Sequence, residues 1–268
     1  GIVDATKAMA AELGVVGLMN VQYAIQERQL YVIEVNPRAS RTVPFVSKAT
    51  GVPLAKMATR IMMGMSLDEL GLIQEVVPAH ISVKEAVLPF DRFPNVDTLL
   101  GPEMKSTGEV MGIDTQFGHA YAKAQLGAGQ RMPTEGTVFV SVQDRDKADA
   151  LAIAARFHEI GFRILATEGT ARFLSQSGVP NQRINKVSEG RPHVVDAVKN
   201  GEVQFVINTG EGDEIRQDGY QIRRAAIKFS IPYATTIAGA DAMCRGIAAL
   251  KENRISVKAL QEYMVEMA

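Results

Sequence analysis

Between residues 137 and 208, β-like apolar runs alternate with helix-patterned stretches, and each helix pattern stops at a glycine. The run 137–142 precedes a helix over 147–160 that ends at Gly161, and the run 163–167 precedes a helix over 171–177 that ends at Gly178. A helix over 193–199 then ends at Gly201, before the run 204–208. Strands separated by helices of this length need right-handed crossovers, which lay the strands parallel in one sheet. Further helices are predicted over 221–229 and 239–250, on either side of a short segment near Tyr233, with a last one over 257–267. This half of the chain is therefore expected to fold as a three-layer α/β domain.

The chain has 268 residues, of which 46% are hydrophobic and 22% charged, enough for one large or two modest cores. Lys and Arg number 29 against 30 Asp and Glu, which excludes a blanket attraction to nucleic acid or an anionic membrane. A polyanion would have to be held by a built site. The single cysteine, Cys244, excludes an internal disulfide and a thiolate metal cluster, and it suits a reducing, cytoplasmic compartment. No apolar run approaches the roughly 20 residues that span a bilayer, and the N-terminus has no secretory pattern. Residues 1–12 read as a helix without an initiator Met, so the chain is expected to be a fragment of a longer protein.

The first half is less regular. Val21, Tyr23 and Ile25 alternate on one arm, and Tyr31, Ile33 and Val35 on another, which predicts a β-hairpin. Pairing Val21 with Val35, Tyr23 with Ile33 and Ile25 with Tyr31 puts the apolar side chains on one face, around a turn at Glu27, Arg28 and Gln29. The same register sets Gln22 opposite Glu34, with Asn36 two residues on. Residues 38–44 are non-periodic, and a helix whose methionines serve core packing is predicted over 54–63. Residues 85–90 read as a strand, and the run holding Pro94, Gly101, Pro102, Gly108 and Gly112 reads as connecting loop. The stretch 127–136 is rich in glycine and polar residues, and the domain boundary is placed there, giving 1–130 and 131–268.

Glu34, Asn36, Arg38 and Arg41 form a mixed cluster suited to a magnesium nucleotide. Oxygens from Gln22, Glu34 and Asn36 are hard donors for a divalent cation that also takes phosphate oxygens and water, and the guanidinium of Arg38 can grip a phosphate at two points. On spacing alone, a solvated strand edge ending in a surface salt bridge fits as well.

In the second half, three turns lie at the carboxyl ends of predicted parallel strands, where open α/β sheets bind ligands. These are residues 167–170, residues 208–210 and the approach to Lys147 after Val142. Thr167 and Thr170 straddle a glycine before a helix, so hydroxyls and backbone N–H groups can converge on an anion, with Lys147 and Lys186 as compensating charge. Helix capping is the simpler account of any one of these turns, and it is their convergence at one sheet edge that points to a ligand. His80, His119, His158 and His193 are scattered and read as structural or surface residues.

The strings Asn20-Val21-Gln22 and Ile33-Glu34-Val35-Asn36-Pro37-Arg38-Ala39-Ser40-Arg41-Thr42-Val43-Pro44-Phe45-Val46-Ser47-Lys48 closely resemble the metal-binding end of the second ATP-grasp domain of the carbamoyl phosphate synthetase large subunit. The likeness continues through Gly51-Val52-Pro53-Leu54-Ala55-Lys56, Ser82-Val83-Lys84-Glu85-Ala86-Val87-Leu88-Pro89-Phe90, Leu100-Gly101-Pro102-Glu103-Met104 and Ser106-Thr107-Gly108-Glu109-Val110-Met111-Gly112, nearly the whole chain. The second half resembles that subunit's methylglyoxal-synthase-like allosteric domain. The resemblance implies an α/β fold: the carboxyl-terminal part of an ATP-grasp domain, an antiparallel sheet with helices, followed by a three-layer domain with a parallel sheet.

The resemblance also implies ATP, with Mg2+ or Mn2+ held by Gln22, Glu34 and Asn36, ATP phosphates near Gln22, Glu34 and Arg38, catalytic arginines at Arg38 and Arg41, and K+ as a further ion. The implied reaction is ATP-dependent phosphorylation of carbamate in a glutamine-hydrolysing enzyme that feeds pyrimidine and arginine biosynthesis. A glutaminase small subunit, UMP or IMP as effectors and a homo-oligomer follow as expected partners, with no nucleic acid and no membrane. Nucleotide contacts fall on Lys147, Thr167, Thr170, Lys186, Asn208 and Thr209, with Gly210 where a second threonine is usual. An ornithine-site pattern falls on Glu85, Leu88, Tyr233 and Thr235, with Ala234 where an aspartate is usual; the family's other ornithine carboxylates lie upstream of residue 1. The nucleotide-gripping lid also lies upstream, so the chain alone is expected to be inactive. Its end soon after the last helix suits a separate large subunit of bacterial type. The alternatives are a non-catalytic nucleotide-sensing module, or a lyase like methylglyoxal synthase or a purine cyclohydrolase.

Overall fold

The computed structural model describes the chain except for residues 73, 89, 91–97, 100–107, 211–212, 254 and 266–268, and leaves aside the side chains of 213–217 and 265. Its contacts divide it into two compact units, Gly1–Ala79 with Val257–Ala268, and His80–Ser256.

The first unit opens with helix α1 (Ile2–Glu12), followed by antiparallel strands β1 (Asn20–Gln26) and β2 (Gln29–Asn36), and helices α2 (Thr42–Thr50) and α3 (Leu54–Met62). The hairpin keeps the expected register at its open end, with Val21 opposite Val35 and Gln22 opposite Glu34. Beyond Gln22 the register shifts: Tyr23 meets Val32 and Ile25 meets Leu30, not Ile33 and Tyr31 as the apolar alternation predicts. The turn explains the shift. Glu27 and Arg28 both take positive φ, 50° and 66°, making a tight two-residue turn that pairs Gln26 with Gln29. A two-residue turn and the expected pairing at Gln22 differ by one residue, and Ile33 absorbs the difference as a β-bulge. Helix α2 takes in part of the stretch expected to be irregular. Pro44 is tolerated there because it lies in the first turn, where no intrahelical N–H partner is lost. The short helix α10 (Leu260–Val265) completes this unit.

The second unit begins with the antiparallel pair β3 (Ile81–Val87) and β4 (Gly108–Asp114), then helix α4 (Phe117–Gly127). Strand β4 overturns the expectation of loop at Gly108 and Gly112. Here Gly112 marks close packing instead, since a Cβ at that position would stand 1.9 Å from the Ala120 carbonyl oxygen and 2.5 Å from the Ala124 nitrogen. The expected junction near 130 lies within this unit, because α4 packs both on β4 and on helix α9 (Ile237–Glu252), near the carboxyl end of the unit.

The remaining elements are β5 (Thr137–Ser141), α5 (Lys147–Glu159), β6 (Arg163–Ala166), α6 (Glu168–Gln176), β7 (Gln182–Arg183), α7 (Val194–Lys199), β8 (Phe205–Asn208), α8 (Asp213–Lys228), β9 (Tyr233–Ala234) and α9 (Ile237–Glu252). The five strands are parallel and run in the order β7-β6-β5-β8-β9. Both faces of the sheet are covered, so β5 reads as a continuous apolar run with alternate destinations. Val138 and Val140 pack with α5, α6 and α9 in one core, while Phe139 packs with α7 and α8 in the other. Gly161, Gly178 and Gly201 take φ of 92°, 82° and 72° just past the helices they end, which is the left-handed stop that glycine accepts without strain. Gly112→Ala is expected to cost about 1–3 kcal/mol in urea unfolding through overpacking against α4. Gly108→Ala, whose nearest neighbour would be the Val87 side chain at 4.0 Å, is the near-neutral control.

Candidate functional site

The chain passes from one side of β5 to the other between β7 and β8, so the parallel sheet has its topological switch between β5 and β8. At the carboxyl ends of these strands lies a cavity of about 360 Å³. Lys147, Thr167, Thr170, Lys186, Asn208 and Thr209, singled out from sequence as the nucleotide set, all line it. Strand β5 delivers Ser141 and the loop toward Lys147, β6 delivers Thr167 at the N-cap of α6, and β8 delivers Asn208.

The hydroxyls and the amide are buried but satisfied. Thr170 Oγ1 accepts a hydrogen bond from the Val142 N–H at 3.4 Å, and Thr167 Oγ1 lies 3.2 Å from Ser141 Oγ. Thr209 Oγ1 donates to Asp146 at 2.6 Å, and Asp146 also accepts from the Gln143 amide at 2.9 Å. Asn208 Oδ1 accepts from Arg223 at 3.1 Å, which turns its amide Nδ2 toward the Ser141 carbonyl. Lys147 Nζ pairs with Asp144 at 2.7 Å. That hydrogen bond, the Lys147 charge and then the Lys186 charge hold the Asp144 carboxyl below its usual range. On the far rim, Asp218 accepts from the Ser188 hydroxyl at 2.6 Å.

Sequence reasoning missed Asp144, Ser188, Asp218 and Arg223. Arg223 carried a signal: it is a charged residue next to Ile222 and Ala225 on the apolar stripe of α8, and it is 2% exposed. Gly219 is needed beside it, because a Cβ there would meet Arg223 Nη1 at 2.6 Å and Asn208 Oδ1 at 2.9 Å.

A second cavity of about 260 Å³ gathers Glu85, Leu88, Tyr233 and Thr235 with Tyr121, Gln125 and Thr98. Burial raises the Glu85 carboxyl, opposed by a hydrogen bond from Gln125. Burial, and then the Glu85 charge, push the Tyr121 phenol up to about 12. Ala234 lines the wall without a polar group, and the Thr98 hydroxyl is buried without a hydrogen-bond partner among the described residues.

In the first unit, Gln22 and Glu34 face each other across the hairpin and are exposed. Asn36 Nδ2 donates to Glu34 Oε1 at 2.8 Å, and Arg38 donates to Asn36 Oδ1 at 3.1 Å. Glu34, Asn36 and Arg38 are therefore linked to one another, while among the described residues no hydrogen bond joins Gln22 to them. Arg41 stands at the N-cap of α2, and among the described residues no hydrogen bond or ion pair ties it to that group. A carboxylate and two carboxamides suit a hard cation in kind. Ligation through Asn36 Oδ1 would replace its hydrogen bond from Arg38. No group of His, Cys, Asp and Glu among the described residues could hold a metal by itself.

The profile described as "Carbamoyl-phosphate synthase L chain, ATP binding domain" matches residues 2–70, and the "MGS-like domain" profile matches 149–235. The protein named carbamoyl phosphate synthase large chain from Nostoc sp. is 55% identical over 263 residues, 96% of this chain and 24% of its own length. The protein of the same name from Archaeoglobus fulgidus is 55% identical over 99% of this chain and 25% of its length. That from Pseudomonas aeruginosa is 56% identical over 91% of this chain and 23% of its length. The chain belongs to the carbamoyl phosphate synthase large-chain family. It spans about a quarter of the length of these relatives. The MGS-like profile begins within α5 and takes in the cavity residues from Thr167 onward but not Ser141 to Lys147, and the ATP-binding profile covers the hairpin cluster. No helix among the described residues is long and apolar enough to cross a membrane.

Arg223→Met is expected to cost about 1.5–3 kcal/mol in urea unfolding, by removing a charge-assisted hydrogen bond from a buried amide. It should also weaken anion binding in the larger cavity, since Asn208 would lose the contact that orients it.

Proposed function

We propose that the second unit is the effector-binding part of a carbamoyl phosphate synthase large chain and that its larger cavity takes a nucleoside monophosphate such as UMP or IMP. The observation that carries this reading is the convergence of Lys147, Thr167, Thr170, Lys186, Asn208 and Thr209 on one cavity at the strand switch. Hydroxyl and amide donors, two ammonium groups and the N-terminus of α6 are what a phosphate dianion needs. Gly210, in place of a second threonine, removes one donor.

The first unit is read as the phosphate and metal end of an ATP-grasp domain. In this reading Gln22, Glu34 and Asn36 would hold Mg2+ or Mn2+, which would supply charge neutralisation for the ATP phosphates. Arg38 grips a phosphate once released from Asn36, with Arg41 as a further cation nearby. The whole protein would phosphorylate carbamate at the expense of ATP, with a glutaminase partner supplying ammonia for pyrimidine and arginine synthesis. In such phosphoryl transfer the protein contributes positioning and charge neutralisation. The division into 1–130 and 131–268 belongs to the same reading as one of sequence likeness, while contacts group residues 80–130 with the second unit. The exposed Ile25, Ile33, Met62 and Met63 support the reading of the first unit as part of a larger domain, because apolar surface of this kind is usual where a unit packs on further structure.

The cavity holding Glu85 is read as the position of an ornithine site. Glu85 as its single carboxylate among the described residues and the apolar Ala234 argue against strong ornithine binding. A non-catalytic nucleotide-sensing module describes the same cavity chemistry in the chain by itself.

Isothermal titration calorimetry tests the effector reading: UMP is expected to bind the chain, and Lys186→Ala to bind it about 10-fold more weakly, the loss of one charge-assisted contact. Unchanged binding in Lys186→Ala would remove the assigned site. The chain alone is expected to form no carbamoyl phosphate from ATP, bicarbonate and ammonia in a coupled assay, and measurable product would refute the division of labour described above.

A further inference from the structure

The larger cavity contains an ion pair that an entering phosphate would have to break. Lys147 Nζ is 2.7 Å from Asp144 Oδ1 and about 3.5 Å from where a Cβ on Gly169 would stand, so the ammonium lies against the first turn of α6. A cation at a helix N-terminus meets partial charge of its own sign and gains from any nearby anion. Lys186 lines the same cavity and adds to that field. Asp218, which lines the cavity, is engaged with Ser188, and Asp146, behind the lining, with Thr209 and Gln143. Asp144 is the carboxylate there that pairs with a cavity lysine, among the described residues. The two partners differ in setting: the Lys147 side chain is 20% exposed and the Asp144 side chain 94% exposed.

We propose that Asp144 is a built-in competitor for the anion site, holding Lys147 until a phosphate displaces it. The inference rests on the nucleotide-monophosphate reading of the cavity and concerns how that site is regulated. Binding is then an exchange in which Lys147 trades a solvent-exposed carboxylate for a phosphate that also reaches Thr167, Thr170 and the N-terminus of α6. Asp144 keeps the ammonium compensated beside the helix end, and it does so at the expense of affinity. Because the carboxylate is exposed, the pair is weak, and releasing Lys147 from it should improve anion binding only modestly.

Calorimetric titration of the chain with inorganic phosphate and, separately, with UMP tests this. Asp144→Asn is expected to bind both roughly 2- to 5-fold more tightly than wild type, as loss of a weak exposed pair dictates. Lys147→Ala should bind both more weakly, and the double variant no more tightly than Lys147→Ala, because the carboxylate acts through that lysine. Asp144→Ser serves as a second variant without the amide, and circular-dichroism melting confirms that each variant is folded. Unchanged or weaker binding in both Asp144 variants would overturn the proposal. So would an equal gain in the Lys147→Ala background, which would show a general field effect instead. Binding of neither probe to wild type or to the Asp144 variants would sink the effector reading along with it, whereas binding to wild type without gain in the variants sinks the competitor alone.

Discussion

The parallel alignment of β5, β6 and β8 is the constraint on which the second unit depends. Parallel strands place all their carboxyl ends at one edge, and the reversal of strand order between β5 and β8 opens a crevice there. Side chains far apart in sequence, such as Ser141, Thr167 and Asn208, become neighbours only because each ends or follows its strand at that edge. Two apolar cores hold the strands in this alignment. Val138 and Val140 face one and Phe139 the other, so shifting β5 by a residue would exchange the two faces and expose mismatched side chains to both helix layers.

The cavity is polar, and its polar groups are restrained. Arg223 fixes the amide of Asn208 from beneath, Asp146 holds Thr209, and the Val142 N–H holds Thr170. Preorganised donors of this kind lose little conformational freedom when a ligand arrives. The lysines are the exception. Their ammonium groups sit on flexible stems, and Asp144 governs where one of them rests. The site therefore combines a fixed floor of hydroxyl and amide groups with an adjustable electrostatic rim.

The hairpin of the first unit shows a different balance. Its polar cluster follows from the cross-strand pairing of Gln22 with Glu34 and from the two-residue spacing that keeps Glu34 and Asn36 on one face. The tight turn at Glu27 and Arg28 conflicts with that register by one residue, and the bulge at Ile33 settles the conflict outside the cluster. The polar end of the ribbon thus keeps its pairing while the turn end adopts another.

Local pattern was enough to place most helices and strands of the second unit, because apolar runs and glycine stops report short-range conformational preferences. It was enough, too, to mark Lys147, Thr167, Thr170, Lys186, Asn208 and Thr209 as one set, through the resemblance of the surrounding strings. Strand β4 escaped, since Gly112 looks like a loop residue until α4 is seen packed against its bare α-carbon. The hairpin shift escaped as well, because alternation fixes faces but does not count the residues in a turn. The roles of Arg223 and Asp144 needed the tertiary structure. Arg223 stands out on the apolar stripe of α8 and Asp144 lies three residues before Lys147, but the reach of Arg223 to Asn208 and the approach of Lys147 to the end of α6 arise only from packing, which no local pattern encodes.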